Sequence, residues 1–203
     1  MAHWIDPRTK LTGHCVDLLP LTQNHFVELE VVAHDKRIWE HYVYDGSNAD
    51  TFKNIFNSAL IDKEKGNQFP FVIFHKQVQR IIGSTRFLDI QLKHKKLEIG
   101  STWIHPDYWA TEVNFECKLL LLEFCFHNLK AVRVQLKTDE NNLRSRRAIE
   151  KIGGRFEGII RHDMIRDNQT KRNSACYSII DDEWSKVKLK LIARLEEKRV
   201  ARK

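Results

Sequence analysis

No run of about eighteen apolar residues, the length a membrane-spanning helix needs, occurs anywhere in the chain. The opening Met-Ala-His-Trp-Ile-Asp-Pro lacks the basic start and apolar stretch of a secretory signal, so a cytoplasmic location is expected. Cysteine is scarce. The four present (Cys15, Cys117, Cys125, Cys176) form no Cys-x-x-Cys pair and have no histidine partner at zinc spacing. That argues against a disulfide scaffold or a zinc module and for reduced thiols in a core. The ten histidines show no metal spacing either, so no metal ligand is assigned. Repeats and low-complexity linkers are missing as well.

An excess of one charge is also missing from most of the chain. The net charge of +7 resides in residues 186–203, where eight Lys or Arg face two Glu, a net of +6. Residues 1–185 hold 26 basic and 25 acidic side chains and are close to neutral. A dispersed nucleic-acid-binding surface is therefore not indicated, and any such contact belongs to the tail.

What remains is ordinary globular composition, 42% hydrophobic and 30% charged over 203 residues, enough for one domain. Residues 97–154 organise it. Leu97-Glu98-Ile99-Gly100-Ser101-Thr102-Trp103-Ile104 is rich in strand formers and is closed by the turn signal His105-Pro106-Asp107. Residues 114–130 read as a helix. Residues 131–137 alternate apolar and polar, the pattern of a half-buried strand. Residues 142–152 have helical spacing, with Gly153 placed to stop them. Strand, helix and strand in succession form a crossover unit, which predicts α/β (α+β) architecture. On the middle helix Glu112, Glu116, Glu123, His127 and Lys130 fall on one narrow stripe while leucine, phenylalanine and cysteine fill the rest. A core helix with one solvent-facing stripe is expected.

Upstream, residues 11–21 read as a strand interrupted by Pro20, and Thr22 as a cap for a helix carrying Phe26, Leu29 and Val32. A short helical piece surrounds Ile38 and Trp39. Asn48 or Asp50 caps a longer helix with Phe52, Ile55, Phe56, Ala59 and Leu60 on its apolar face, ended by Lys65-Gly66-Asn67. Residues 69–74, 80–88 and 97–104 predict an antiparallel meander. After Gly154 come strands at 155–164 and 174–180, then a helix capped by Asp181 or Asp182. Its apolar positions Trp184, Val187, Leu191 and Leu195 would pack on the domain or on a second copy. Its basic side chains would meet ribosomal RNA or an acidic partner, or fray from Lys198 onward.

This order of elements resembles the GNAT acyltransferase superfamily, and within it the RimJ/RimL-type branch that acetylates protein N-termini and some small amines. Three patches carry the likeness: Leu97-Glu98-Ile99-Gly100 followed by Trp103-Ile104-His105-Pro106; the core helix; and Asn142-x-x-Ser145 running to Glu150-Lys151-Ile152-Gly153-Gly154. The resemblance implies a central, mostly antiparallel mixed sheet of about seven strands flanked by helices. It implies one domain, 1–203, with a core at 11–184 and a basic C-terminal helix at 185–203. It further implies that two strands splay apart, those carrying Trp103 and Ile104 and carrying Val132 and Val134. Acetyl-coenzyme A would lie between them with its pyrophosphate at the core helix's N-terminus. Cofactor contacts are then expected at Trp103, Ile104, Ala110, Thr111, Val113, Asn114 and Asn142. Acetyl would pass directly to a primary amine in a ternary complex. The acceptor would be a protein N-terminus first, a small-molecule amine second, and the enzyme a monomer or homodimer.

Within that resemblance Glu98 occupies the place of a general base, its other reading being an exposed charge or a pair with Arg86. Ser145 would protonate the leaving thiolate or touch the cofactor, or else satisfy the backbone after Asn142; Asn142 is a pantetheine contact or a helix cap. Arg144, Arg146 and Arg147 would meet an adenosine phosphate, with at least two of them solvated. The tyrosine some relatives carry four residues after the serine is Ile149 here, so no tyrosine acid comes from that place. The pyrophosphate loop departs from the pattern, with Trp109, Glu112 and Asn114 where the family has Arg or Gln, Gly, and Gly or Ala. Glu112 would either rest on the helix dipole, pointing to solvent, or repel the cofactor. Two other readings compete: a non-catalytic binding module on the same scaffold, ribosome-associated through its tail, and a self-associating structural protein.

Overall fold

The computed structural model describes residues 4–200. In it the chain runs β1 (Leu11–Thr12), β2 (Val16–Pro20), α1 (Phe26–Ala33), α2 (Ala49–Glu64), β3 (Phe69–His75), β4 (Arg80–Gln91) and β5 (Lys96–Ile104). It continues with α3 (Val113–Glu123), β6 (Arg133–Asp139), α4 (Leu143–Lys151), β7 (Arg155–Ile165), β8 (Lys171–Ile180) and α5 (Asp181–Val200). The last three residues of the basic tail lie outside the described residues. Among the described residues no helix is long and apolar enough to cross a membrane.

The sheet has eight strands in the order β1-β2-β3-β4-β5-β6-β8-β7. That is one more than the sequence pattern predicts, because the opening strand is cut at residues 13–15. There the backbone turns, Gly13 donating its N–H to the Val16 carbonyl at 2.9 Å. β2 through β5 form the expected antiparallel run, and α3 is the crossover that brings β6 parallel to β5. β8 then pairs antiparallel with β6 from Arg133↔Ile180 to Asp139↔Ser174, and β7 closes the far edge.

Side-chain alternation along the strands sorts the core into two layers. Phe71 and Ile73 of β3 point to a cluster with Leu18, Phe87, Leu97, Val134, Leu136 and the inner face of α3. Val72, between them, points the other way, with Ile81 and Trp103, against Leu29 of α1 and Phe52 and Phe56 of α2. Both faces being covered, β3 reads as a continuous apolar run rather than an alternating one. Asn48 caps α2 by accepting the Thr51 N–H at 3.0 Å. Gly153, at φ +95°, ends α4 in the left-handed conformation that glycine adopts without steric cost.

The expected solvent stripe holds only at its end: His127 and Lys130, beyond α3, are exposed, but Glu112 and Glu116 are buried. Glu116 is 3% exposed, and its carboxylate accepts the backbone N–H groups of His14, Cys15 and Val16 at 2.9, 2.6 and 2.8 Å. Arg199 of α5 adds an ion pair at 2.6 Å, and Lys188 of α5 bonds Glu123 at 2.8 Å. Polar residues at helical spacing mark where the N-terminal turn and the C-terminal helix are clamped down. The predicted stripe of α5 is observed, with Trp184, Leu191 and Leu195 buried and Val187 packed against the same core.

Candidate active site

β5 and β6 pair only at Lys96↔Arg133, Leu97↔Val134 and Glu98↔Gln135. Beyond Glu98 they part, for a local reason. Opposite β4 the register slips between Ser84↔Trp103 and Arg86↔Gly100, placing an extra residue in β5, and Ser101 takes a left-handed φ of 44°. Such a bulge bends its strand away from the neighbour. The separation therefore falls between the Gly100–Ile104 part of β5 and Leu136, Lys137 and Thr138, later along β6 than Val132, which precedes the strand. A cleft of about 490 Å³ opens there, walled by β5, β6 and α4 and floored by Asn114 and Lys118 of α3.

Glu98 stands at the fork. It is 7% exposed, neither solvated nor paired with Arg86. Arg86 lies opposite Gly100 and reaches Gln68 at 3.3 Å. The Glu98 carboxylate instead accepts from Gln135 Nε2 at 3.1 Å, with Lys137 Nζ at 3.6 Å. Burial pushes its carboxyl upward from the ordinary value of 4.5, opposed in part by the Lys137 charge and the Gln135 bond. A carboxylate that holds a proton more readily than usual, at the wall of a cleft, has the property a general base requires.

On the opposite wall, Asn142 caps α4, its Oδ1 accepting the Ser145 N–H at 2.9 Å. Both residues also line the cleft, so the capping and site readings coincide in place. The three arginines separate. Arg147 is exposed. Arg146 bonds the Tyr177 hydroxyl at 3.0 Å and the Glu140 carbonyl at 3.2 Å. Arg144, also exposed, lays its guanidinium 3.5 Å over the Trp109 ring at the cleft wall, so two of the three face solvent.

Trp103, Ile104, Ala110, Asn114 and Asn142 line the cleft; Thr111 and Val113 stand outside its wall. Thr111 Oγ1 donates to the Tyr108 carbonyl at 2.7 Å and accepts the Val113 N–H at 3.3 Å, and the Val113 side chain is fully buried. Glu112 does not point to solvent, being 9% exposed. It is absent from the cleft wall, and its charge is felt by the Cys15 thiol in the N-terminal turn. Glu112 and Glu116, four residues apart, share the face of α3 turned from the cleft, whereas Asn114 and Lys118 share the face turned to it. The acid at a glycine position thus leaves the cleft unobstructed.

Composition and spacing did not single out Lys118, Tyr42 or Tyr44. Lys118 is 5% exposed, and its ammonium donates to Thr102 Oγ1, in the β5 bulge, at 2.7 Å. Thr85 meets that hydroxyl at 2.7 Å from β4, and the Tyr42 hydroxyl donates to the Thr102 carbonyl at 2.8 Å. The one signal in the sequence was a lone lysine among the leucines of the core helix. Burial pushes its pKa down to about 8 from 10.5. The folded state therefore disfavours the charged form; the cost is full below about pH 8 and fades as pH rises toward 10.5. Lys118→Met is expected to raise Tm by a few degrees at pH 7, since replacing a buried charge with a packed side chain often gains about 1–4 kcal/mol. The gain should shrink at pH 10. Acetyl transfer should fall on the order of tenfold, the magnitude of one lost charge-assisted hydrogen bond. A lower Tm at pH 7, by thermal unfolding, would show that the lysine is structural.

Residues 16–155 match the acetyltransferase (GNAT) domain family. The Bacillus subtilis (strain 168) protein "Uncharacterized N-acetyltransferase YoaA" is 27% identical over 123 residues, 61% of this chain and 67% of that one. A crystal structure of a GCN5-related N-acetyltransferase from Brucella melitensis superposes with a TM-score of 0.84 at 25% identity, over 93% of this chain and 86% of that one. Mycobacterium smegmatis RimJ, in complex with CoA-disulfide, shares the fold with a TM-score of 0.77 at 16% identity, over 92% and 95%.

Proposed function

This chain belongs to the GNAT acetyltransferase family, whose co-substrate is acetyl-coenzyme A, and on that premise we propose that it acetylates a primary amine by direct attack within the β5–β6 cleft. The observation that carries this reading is the end of pairing at Glu98↔Gln135, which leaves two strands open over the N-terminal half of α3. The residues fit the group. Ile99, Trp103, Ile104 and Leu136 give an extended apolar arm a wall, and the first turn of α3 presents N–H groups to phosphate. Glu112, the residue that would have opposed it, is turned elsewhere. That favours acetyl transfer over a non-catalytic binding module.

When bound, acetyl-coenzyme A supplies the acetyl group as a thioester. The chain's own groups do the rest. Glu98 takes the proton that the incoming ammonium must lose before attack. A backbone N–H of the bulged part of β5 steadies negative charge on the carbonyl oxygen. Ser145, across the cleft, returns a proton to the departing sulfur. Lys118 and Tyr42 are positioning residues, holding Thr102 and with it the bulge.

The acceptor end is bounded by Tyr42, Tyr44 and Asp163 and is open, which suits a flexible chain terminus; a protein α-amine is the first-choice acceptor and a small amine the second. Four of the six basic side chains of α5, Lys188, Arg194, Lys198 and Arg199, are engaged within the domain, on Glu123, the Lys151 and Ala110 carbonyls and Glu116, while Lys186 and Lys190 are exposed. This favours a role inside the enzyme over contact with RNA. Buried thiols, Cys117 pushed up to about 12 by its surroundings, suit a reducing cytoplasm.

Calorimetric titration with acetyl-coenzyme A tests the reading, followed by thiol release with peptide α-amines and small amines compared. Saturable heat and amine-dependent thiol release are expected. Glu112→Gly is expected to change affinity no more than about fivefold, the ~0.3–1 kcal/mol of one charge at a helix N-terminus. No heat from wild type or Glu112→Gly would end the enzyme reading.

A further inference from the structure

We propose that the C-terminal helix is part of the coenzyme A site: Lys198 of α5, with Arg144 of α4, supplies the positive charge that the phosphate loop itself lacks. This rests on the acetyltransferase reading above. The loop at residues 109–114 must accommodate phosphate groups, yet it carries no glycine and no cation. Its own resources are the N–H groups and partial positive charge at the start of α3.

Two cations reach this loop from outside it. The Arg144 guanidinium rests 3.5 Å over the ring of Trp109, whose Nε1 is fixed to the Ile104 carbonyl at 2.8 Å. Stacking occupies the guanidinium face and leaves its edge N–H groups directed along the ring plane, where a phosphate oxygen is met. From the other side, Lys198 Nζ donates to the carbonyl of Ala110 at 2.9 Å. Ala110, which lines the cleft, adopts a left-handed φ of 60°, an uncommon conformation for a residue with a side chain, and the Lys198 bond satisfies its carbonyl.

The placement of Lys198 is built in. Leu191 and Leu195 are buried beneath the last turns of α5, and Arg199, the next residue, pairs at 2.6 Å with Glu116 in the first turn of α3. The end of α5 is therefore registered against the same helical turn that faces the phosphates. Arg199 balances Glu116 there and Lys198 offsets Glu112, the one acid in the loop, so that with Arg144 the phosphate end carries a net positive charge. Lys198 is exposed, and its movement from a carbonyl to a phosphate exchanges one hydrogen bond for a charge-assisted one. Linkage makes the effect reciprocal: whatever α5 adds to coenzyme A affinity, coenzyme A adds to the docking of α5.

The test compares acetyl-coenzyme A with S-acetylpantetheine, the same thioester arm without the nucleotide or pyrophosphate, on wild type, Arg144→Gln, Lys198→Gln and the double variant. Each single change is expected to raise KM for acetyl-coenzyme A about five- to tenfold with kcat little altered, and the loss to shrink in high salt. With S-acetylpantetheine the variants should match wild type. Coenzyme A should also slow hydrogen exchange in α5, and less so in Lys198→Gln. Equal losses with both donors would mean a structural role, and unchanged KM for acetyl-coenzyme A would mean no role; either overturns the proposal. If wild type uses neither donor, the failure lies in the acetyltransferase reading, and this inference falls with it.

Discussion

Glu98→Gln is expected to lower kcat/KM for the amine by about 10²–10⁴-fold, the range for loss of a positioned general base, with KM for acetyl-coenzyme A nearly unchanged. The substitution keeps the shape of the side chain. It also leaves Gln135 and Lys137 an oxygen to approach, so β5 and β6 should still meet at this rung. The pH profile carries the stronger test. Burial raises the Glu98 carboxyl above 4.5, and a base acts only when deprotonated. In wild type kcat/KM should therefore fall as pH drops through that raised value, and in Glu98→Gln this acidic limb should vanish. Lys137→Met removes the nearby charge that favours the carboxylate, so its acidic limb should move to higher pH. A Glu98→Gln enzyme within twofold of wild type, with the limb intact, would place the base elsewhere.

Why Glu98 was legible and Lys118 was not follows from what periodicity records. A strand flanked by a turn signal announces its own residues one by one, so the rungs of β5 and the position of Glu98 on it could be read directly. The bulge at Ser101 and Thr102 could not. It arises from a mismatch between β5 and β4, two segments whose register no single segment encodes. Helical spacing in α3 identified its polar stripe correctly and misjudged its surroundings, because burial of Glu116 depends on a turn about a hundred residues earlier and a helix about eighty residues later. The same non-locality hid the pairing of Arg144 with Trp109 and of Lys198 with Ala110. Trp109 looked like a lost arginine. In the fold it is the platform on which an arginine from another helix rests.

That remote clamp yields the largest stability effect expected here. Glu116→Ala removes an acceptor from three consecutive backbone N–H groups and leaves Arg199 without its partner. Breaking a buried pair in this way costs about 3–5 kcal/mol. For a chain of this size that corresponds to a fall in Tm of roughly 6–20 °C. The acid limb of stability should change too. Burial pushes the Glu116 carboxyl up, but the Cys15 thiol and the backbone N–H groups of Val16, His14 and Cys15 outweigh it, and the net shift is downward from 4.5. A carboxyl depressed by folding stabilises fully above its unfolded pKa and loses that contribution as pH falls through its folded one. Wild-type Tm should therefore drop below about pH 4.5, and the drop should be shallower in Glu116→Ala, which has no such contribution to lose. Glu116→Gln retains one acceptor oxygen but turns an NH₂ toward backbone N–H groups, so it should fall between the two. Because Glu116 also registers α5 against α3, Glu116→Gln should weaken acetyl-coenzyme A binding even at temperatures where it is fully folded. Melting curves from pH 3.5 to 8, beside calorimetry at 15 °C, separate these effects. Wild-type Tm in Glu116→Ala would mean that the N-terminal turn and α5 are held by their apolar contacts alone.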